Sequence, residues 1–288
     1  MPLDRALRVG INATALLSPR TGIGNYVFEL GKAFLTMPEI HPRFFYSKNW
    51  SDALRNEPLP NIVSIKSKVR KFIPNAYAVA RFLIQRNFNA GVHKEPIDLY
   101  HEPNYLAYRF AGPTVTTVHD LSWIRHPETH PKERLHAMDR YFPQSLERSA
   151  TIITDCAFVK NEVMEMFGIS PDKIHSVPLG VSENFTPVSA TDGCTTLEKY
   201  GLEFGQYFLC VGTLEPRKNL PTLIDAFLAL PLNVQARFPL ALVGMRGWLT
   251  SGLEKKMQPL VSKGLVKVLG YVEDAHMSAL YSGAAAFI

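Results

Sequence analysis

The sequence has no apolar run of the about 18 residues that a membrane-spanning helix needs, and Met1 to Gly10 carries charges where a secretory signal would carry an apolar core. The chain is therefore expected in the cytoplasm. Cysteine is scarce: of 288 residues only Cys156, Cys194 and Cys210 are cysteines. They are odd in number, far apart and without Cys-x-x-Cys or Cys/His spacing, so neither a disulfide framework nor a zinc site is indicated. Two of the three read as buried strand positions. No Asp-x-Asp occurs, which argues against a nucleotide held through a metal, and His126 and His130 have Pro127 between them, which spoils a shared helical face. No metal and no cofactor are expected. The absence of Gly-x-Ser-x-Gly removes support for a serine hydrolase.

What is present is a globular composition, 46% hydrophobic, with a net charge of +5 that permits an anionic partner. The segment Lys66 to Phe88 concentrates that charge: Lys66, Lys68, Arg70, Lys71, Arg81 and Arg86, with no acid. Its helical part sets a polar strip of Arg81, Gln85 and Asn89 beside apolar Tyr77, Val79, Phe82, Leu83 and Ile84, a pattern suited to an anionic membrane surface or to packing on a sheet. No nucleic-acid partner is indicated.

Strand and helix signals alternate along the chain. Strands are expected at Arg8–Ala13, Arg43–Tyr46, Asn61–Ile65, Asp98–Glu102, Thr114–His119, Thr151–Thr154 and Lys173–Pro178. Helices are expected after Thr21 as N-cap, and at Asn75–Phe88, Lys132–Ser149 and Phe158–Phe167, the last closed by Gly168. A polar stretch from Thr186 to Thr196 interrupts the pattern. It resumes with strands Tyr207–Val211, Leu240–Gly244, Val266–Tyr271 and Ala284–Ile288 and helices Leu220–Leu230, Leu253–Lys263 and Ala275–Tyr281. Such alternation predicts an α/β protein with two parallel-sheet, Rossmann-like domains, residues 1–183 and 184–288.

Ligands of open parallel sheets sit at the carboxyl ends of the strands. Three such ends carry chemistry. Arg20-Thr-Gly22-Ile-Gly24-Asn25 feeds a helix N-terminus able to receive a phosphate, although Val27 replaces the third glycine of a dinucleotide fingerprint and no acid follows the next strand, which weakens a nicotinamide oxidoreductase. Val118-His119-Asp120 can present an imidazole with a carboxylate to orient it. Gly212-Thr-Leu-Glu-Pro-Arg217-Lys218-Asn219 places two cations beside a helix start that Asn219 would cap, which suits a diphosphate. On local pattern a tight turn, a capping aspartate and a solvated basic loop stay open as alternatives.

Taken in order, Thr21-Gly-Ile-Gly-Asn-Tyr26, Val118-His-Asp-Leu-Ser-Trp123, Ser170-Pro-Asp-Lys-Ile174, Val177-Pro-Leu-Gly-Val181, Val211-Gly-Thr-Leu-Glu-Pro-Arg-Lys-Asn219, Val243-Gly244 and Leu269-Gly-Tyr-Val272 resemble the retaining GT-B glycosyltransferases of the group 1, family four type, especially bacterial mannosyl- and rhamnosyltransferases of O-antigen and exopolysaccharide assembly. The resemblance implies that Arg217 and Lys218 bind the donor diphosphate, that Gly22 and Gly24 approach it from the opposite domain, that His119, with Asp120 beside it, faces the transferred sugar, and that Gly212, Asn219, Gly244 and Val272 lie near the nucleotide. It also implies a nucleoside-diphosphate hexose as donor, GDP-mannose favoured, a glycan or lipid-linked acceptor, and a place at the inner face of the plasma membrane. The family's two glutamates separated by seven residues do not occur here. On that ground the second domain is expected to be incomplete and this chain to lack useful activity. A sugar-nucleotide epimerase of the same architecture and a silent sugar-nucleotide-binding protein are the rival expectations.

Overall fold

The computed structural model describes residues 5–55, 76–248 and 251–288. The chain divides into two compact units, one of Met1–Pro127 with Lys132–Gly180 and one of Glu128–Pro131 with Val181–Ile288.

In the first unit the strands are β1 (Leu7–Asn12), β2 (Ile40–Phe45), β3 (Trp50–Ser51), β4 (Leu99–Glu102), β5 (Thr114–Val118), β6 (Thr151–Thr154) and β7 (Ile174–Ser176). They form one sheet in the order β3-β2-β1-β4-β5-β6-β7, parallel except where the short β3 runs antiparallel to β2. The main helices are α1 (Gly22–Thr36), α2 (Ala76–Lys94), α3 (Lys132–Arg148) and α4 (Ala157–Phe167). Apolar side chains fill both faces of the sheet. One side holds Phe45 and Tyr100 with Phe88 and, further along the sheet, Val118 and Ile152 with Trp123 and Phe142; the other packs Val9, Ile11 and Phe44 against Val27 of α1. Burying each such side chain stabilises the fold by about 1.5–3 kcal/mol. Gly168 ends α4 in the left-handed region at φ 63°, as its position in the sequence predicts. Thr21 precedes α1 in extended conformation, but its side chain makes no capping hydrogen bond. Trp50 lies over Gly91 of α2 and Gly10 of β1, and a methyl group at either glycine would run into the indole ring. The expected strand at Asn61–Ile65 lies outside the described residues.

The second unit has a parallel sheet, β10-β9-β8-β11, made of β8 (Phe208–Val211), β9 (Leu240–Val243), β10 (Val266–Gly270) and β11 (Ala286–Phe287). Its helices are α5 (Ala190–Glu198), α6 (Leu220–Leu228), α7 (Leu232–Arg237), α8 (Ser251–Ser262) and α9 (Asp274–Gly283). The stretch expected as a polar interruption is partly α5. Ser189 Oγ accepts the Asp192 N–H at 3.2 Å, a helix start written in polar residues, and Leu197 is the buried anchor. The helix expected to run to Leu230 stops at Leu228, and Pro231 opens the separate α7. The cysteine expectation also fails: Cys156 and Cys194 are exposed, one before α4 and one on α5, while Cys210 on β8 is half-buried.

Candidate functional site

A parallel sheet opens a ligand crevice where the strand order reverses. In the first unit that point lies between β1 and β4. His119 follows β5 one strand away. Its Nδ1 lies 2.9 Å from Asp155 Oδ2 and its Nε2 lies 2.8 Å from the Pro103 carbonyl oxygen. Both partners are acceptors, an arrangement that favours the ring protonated at both nitrogens. Burial works against that charge, but the Asp155 hydrogen bond and charge, the Pro103 carbonyl and the Asp120 charge together raise the His119 pKa above its ordinary value. Tyr26 and Tyr105 close on the imidazole edge-on, with centroids at 5.2 and 5.7 Å.

The sequence reading gave the orienting carboxylate to Asp120, and the structure gives it to Asp155. Asp120 Oδ1 instead accepts from Ser122 N at 3.0 Å and Ser122 Oγ at 2.8 Å, closing the turn that leads into the short helix Ser122–Arg125. Neighbours at a strand end diverge to opposite sides, so the residue beside His119 in sequence is not the one beside it in space. Asp155 had a signal, since it follows strand β6 at the same rim. Beneath these groups lies a buried polar layer that no motif announced. His101 Nε2 lies 2.9 Å from Thr117 Oγ1, which lies 3.1 Å from the Tyr26 hydroxyl. Burial, with the nearby His119 charge, pushes His101 down to about 4.

Gly22 and Gly24 open α1. A methyl at Gly22 would meet nothing within 4 Å, and one at Gly24 would be in ordinary contact with the Arg20 side chain at 3.4 Å. Nothing within the described chain therefore demands glycine at position 22.

In the second unit the order reverses between β8 and β11. Gly212 to Asn219 follows β8. Arg217 forms a charge-assisted contact to Glu215, Nη2 to Oε1 at 2.8 Å and Nε to Oε1 at 2.9 Å, and Glu215 is only 4% exposed. That glutamate, inside the motif but not singled out, fixes the guanidinium. Lys218 is exposed, with its alkyl chain against Gly212. Asn219 occupies the cap position in left-handed conformation, φ 50°, but makes no side-chain cap bond; its Oδ1 accepts from Thr222 Oγ1 at 2.8 Å. Gly244, at φ +144°, brings the end of β9 so close that a methyl there would overlap the Gly212 carbonyl. Val272 is 4% exposed and its side chain belongs to the core with Tyr207 and Leu280, leaving only its backbone to face a ligand. Among the described residues no three His, Cys, Asp or Glu side chains gather as a metal site would require.

The sequence profile of Glycosyltransferase Family 4 matches residues 20–185. The O-antigen chain mannosyltransferase B of Escherichia coli is 32% identical over 277 residues, a match covering 94% of this chain and 72% of that protein. The chain belongs to glycosyltransferase family 4. Solved structures agree at the level of fold. The sucrose-phosphate synthase of Thermosynechococcus elongatus superposes with a TM-score of 0.71 at 18% identity over 98% of this chain and 75% of that one. HepE of Anabaena, in complex with UDP-glucose, does so with a TM-score of 0.61 at 15% identity over 97% and 72%. These neighbours are GT-B glycosyltransferases, and the Rossmann-like parallel sheets of the family 4 chain are of their kind. Among its described residues no helix is long and apolar enough to cross a membrane.

Proposed function

We propose that this family 4 glycosyltransferase moves mannose from GDP-mannose to a glycan or lipid-linked saccharide acceptor, with retention at the anomeric carbon. The observation that carries the reading is the 32% identity, along 94% of the chain, to an O-antigen mannosyltransferase. UDP-glucose in the HepE complex supports a nucleotide sugar as the donor class. The diphosphate is met by Arg217 and Lys218, whose charges offset the one that develops on the leaving group, while Gly212, Gly244, Asn219 and the Val272 backbone border the nucleotide. Gly22, for which the chain supplies no steric reason, leaves room for a ligand to approach the start of α1, with Gly24 one residue further along. His119 faces the sugar as a nearby charge and not as a base, because its two nitrogens are already engaged by the Asp155 carboxylate and the Pro103 carbonyl. A donor phosphate oxygen takes the acceptor proton as the new carbon–oxygen bond forms and the bond to the diphosphate breaks. No metal is required.

The lipid-linked acceptor places the enzyme at the inner face of the plasma membrane, with α2 as the docking element. Here the polar strip behaves opposite to its expected use. Arg81 donates to the Leu106 and Ala107 carbonyls and Gln85 to that of Arg109, so these polar groups turn towards the protein. Three of the apolar residues turn outward, Phe82 at 68% exposed, Val79 at 53% and Leu83 at 50%, with Arg86 exposed beside them, while Ile84 packs against the core around Phe88. Lys66, Lys68, Arg70 and Lys71 precede this helix in sequence, outside the described residues.

The deciding assay supplies GDP-mannose, UDP-glucose and other donors with lipid-linked or free saccharide acceptors and follows acceptor-dependent release of nucleoside diphosphate. Mannose transfer with the donor's anomeric configuration in the product is expected, at low turnover because the two glutamates of the family pattern do not occur in this chain. Inversion in the product, or turnover of only uridine-linked donors, would overturn the corresponding part of the reading.

A further inference from the structure

One buried acid plays no part in the chemistry above. Glu102 ends β4 at the reversal of the sheet, one step beyond the Ile11 and His101 pair of β1 and β4, and it is 1% exposed. Its Oε2 accepts from Asn12 Nδ2 at 2.8 Å and from the Tyr100 hydroxyl at 2.6 Å, and its Oε1 accepts from Asn104 N at 3.1 Å. Two of these donors lead to the rim. Asn12 Oδ1 accepts from Thr14 N at 3.2 Å and Thr14 Oγ1 at 2.7 Å, which fixes the turn Thr14–Leu17 ahead of the glycine loop. Asn104 N follows Pro103, whose carbonyl is the acceptor that holds His119 Nε2 at 2.8 Å.

We propose that Glu102 is a positioning residue whose carboxylate ties the end of β1 to the loop after β4 and so holds His119 in place through the Pro103 carbonyl. This rests on the role of His119 given above. A carboxylate presents only acceptors, and three donors converge on this one. A proton on Oε1 would set O–H against the Asn104 N–H and break that tie, while a proton on Oε2 would be donated to the Tyr100 oxygen and reverse that bond. Either removes the charge that strengthens the ties to Asn12 and Asn104. Burial pushes Glu102 up to about 7, opposed by Tyr100, Asn12, Arg81 and Asn104. The ionisable groups facing it are Tyr77 and Arg81 from α2, Tyr108 from the loop before β5, and Tyr100 on its own strand. The rim is therefore tied more firmly as the pH rises through neutrality.

Nitrogen-15 NMR of the histidine-labelled full chain reads the coupling directly, titrated between about pH 5 and pH 9. In the parent protein the His119 Nε2 resonance should show, besides its own titration, an inflection that coincides with that of the Glu102 carboxyl carbon. Tyr100→Phe removes one donor from the carboxylate and should move both inflections up together, by about one pH unit. Glu102→Gln should abolish the His119 inflection and lower kcat about 10-fold while the donor KM stays within about twofold. Should Glu102→Gln fail to fold, the conservative Tyr100→Phe variant still decides. A His119 titration unchanged in Tyr100→Phe while the Glu102 carbon shifts, or unchanged in a folded Glu102→Gln, overturns the proposal. Absence of transfer from every donor by the parent would sink the functional reading instead, and leave the NMR result to stand on its own.

Discussion

At the scale of single residues, Arg217 and Lys218 are separable although they are neighbours. Loss of either cation should lower turnover about 100-fold, near 3 kcal/mol of transition-state stabilisation. Arg217→Ala also strands the carboxylate of Glu215, which is 4% exposed, so it should destabilise the second unit by a further 1–3 kcal/mol or so, whereas Lys218→Ala should not. Thermal melts beside kinetics check this, and equal melting temperatures would remove the assigned pairing. A second prediction concerns pH. The folded pKa of Glu102 is raised from 4.5 to about 7, so its contribution to stability is complete below the unfolded value and is lost as the pH climbs through the folded one. Urea melts of the parent should lose on the order of 3 kcal/mol across that window from this group alone, and Glu102→Gln should flatten the slope. His119, also raised, works in the same direction above its ordinary value.

Among elements, α2 makes the sharpest contrast between pattern and placement. Its composition suggested a membrane or a sheet as partner for its apolar face; instead its polar residues bond inward to the loop before β5, Phe88 packs into the core, and Phe82 and Leu83 stand exposed. Replacing both Phe82 and Leu83 by Ser should leave stability within about 0.5 kcal/mol, as for ordinary surface changes, yet abolish flotation with anionic vesicles. Equal recovery of parent and variant, or equal recovery with neutral vesicles, would retire the docking role. Elements were legible where hydrophobic period and punctuation agreed, as in β5, β6 and α4. They were hidden where the signal was short or polar: β3 has two residues, and α5 begins on Ser189 and Asp192 with little apolar content. Site residues followed the same division. His119, Arg217 and Lys218 follow strands within local motifs, which is why the sequence offers them as candidates. Asp155, Pro103 and Glu102 matter through pairings between distant strands, which no local motif encodes.

For the whole molecule, the two units each present a rim where strand order reverses, and the donor is assigned to the second. Hydrogen exchange with saturating GDP-mannose should therefore slow the amides from Gly212 to Asn219 and around Gly244. At a ligand concentration 100 times Kd the added stability of the binding-competent state is about 2.7 kcal/mol. Unaltered exchange in those segments would move the donor elsewhere. The seating of Trp50 on Gly91 and Gly10 has a consequence of another kind. The indole and the two vacancies that admit it constitute a single inherited character. Across descendants of this lineage, a side chain should appear at position 91 only in sequences that have already exchanged Trp50 for something smaller, and the reverse order of events should be absent from the record.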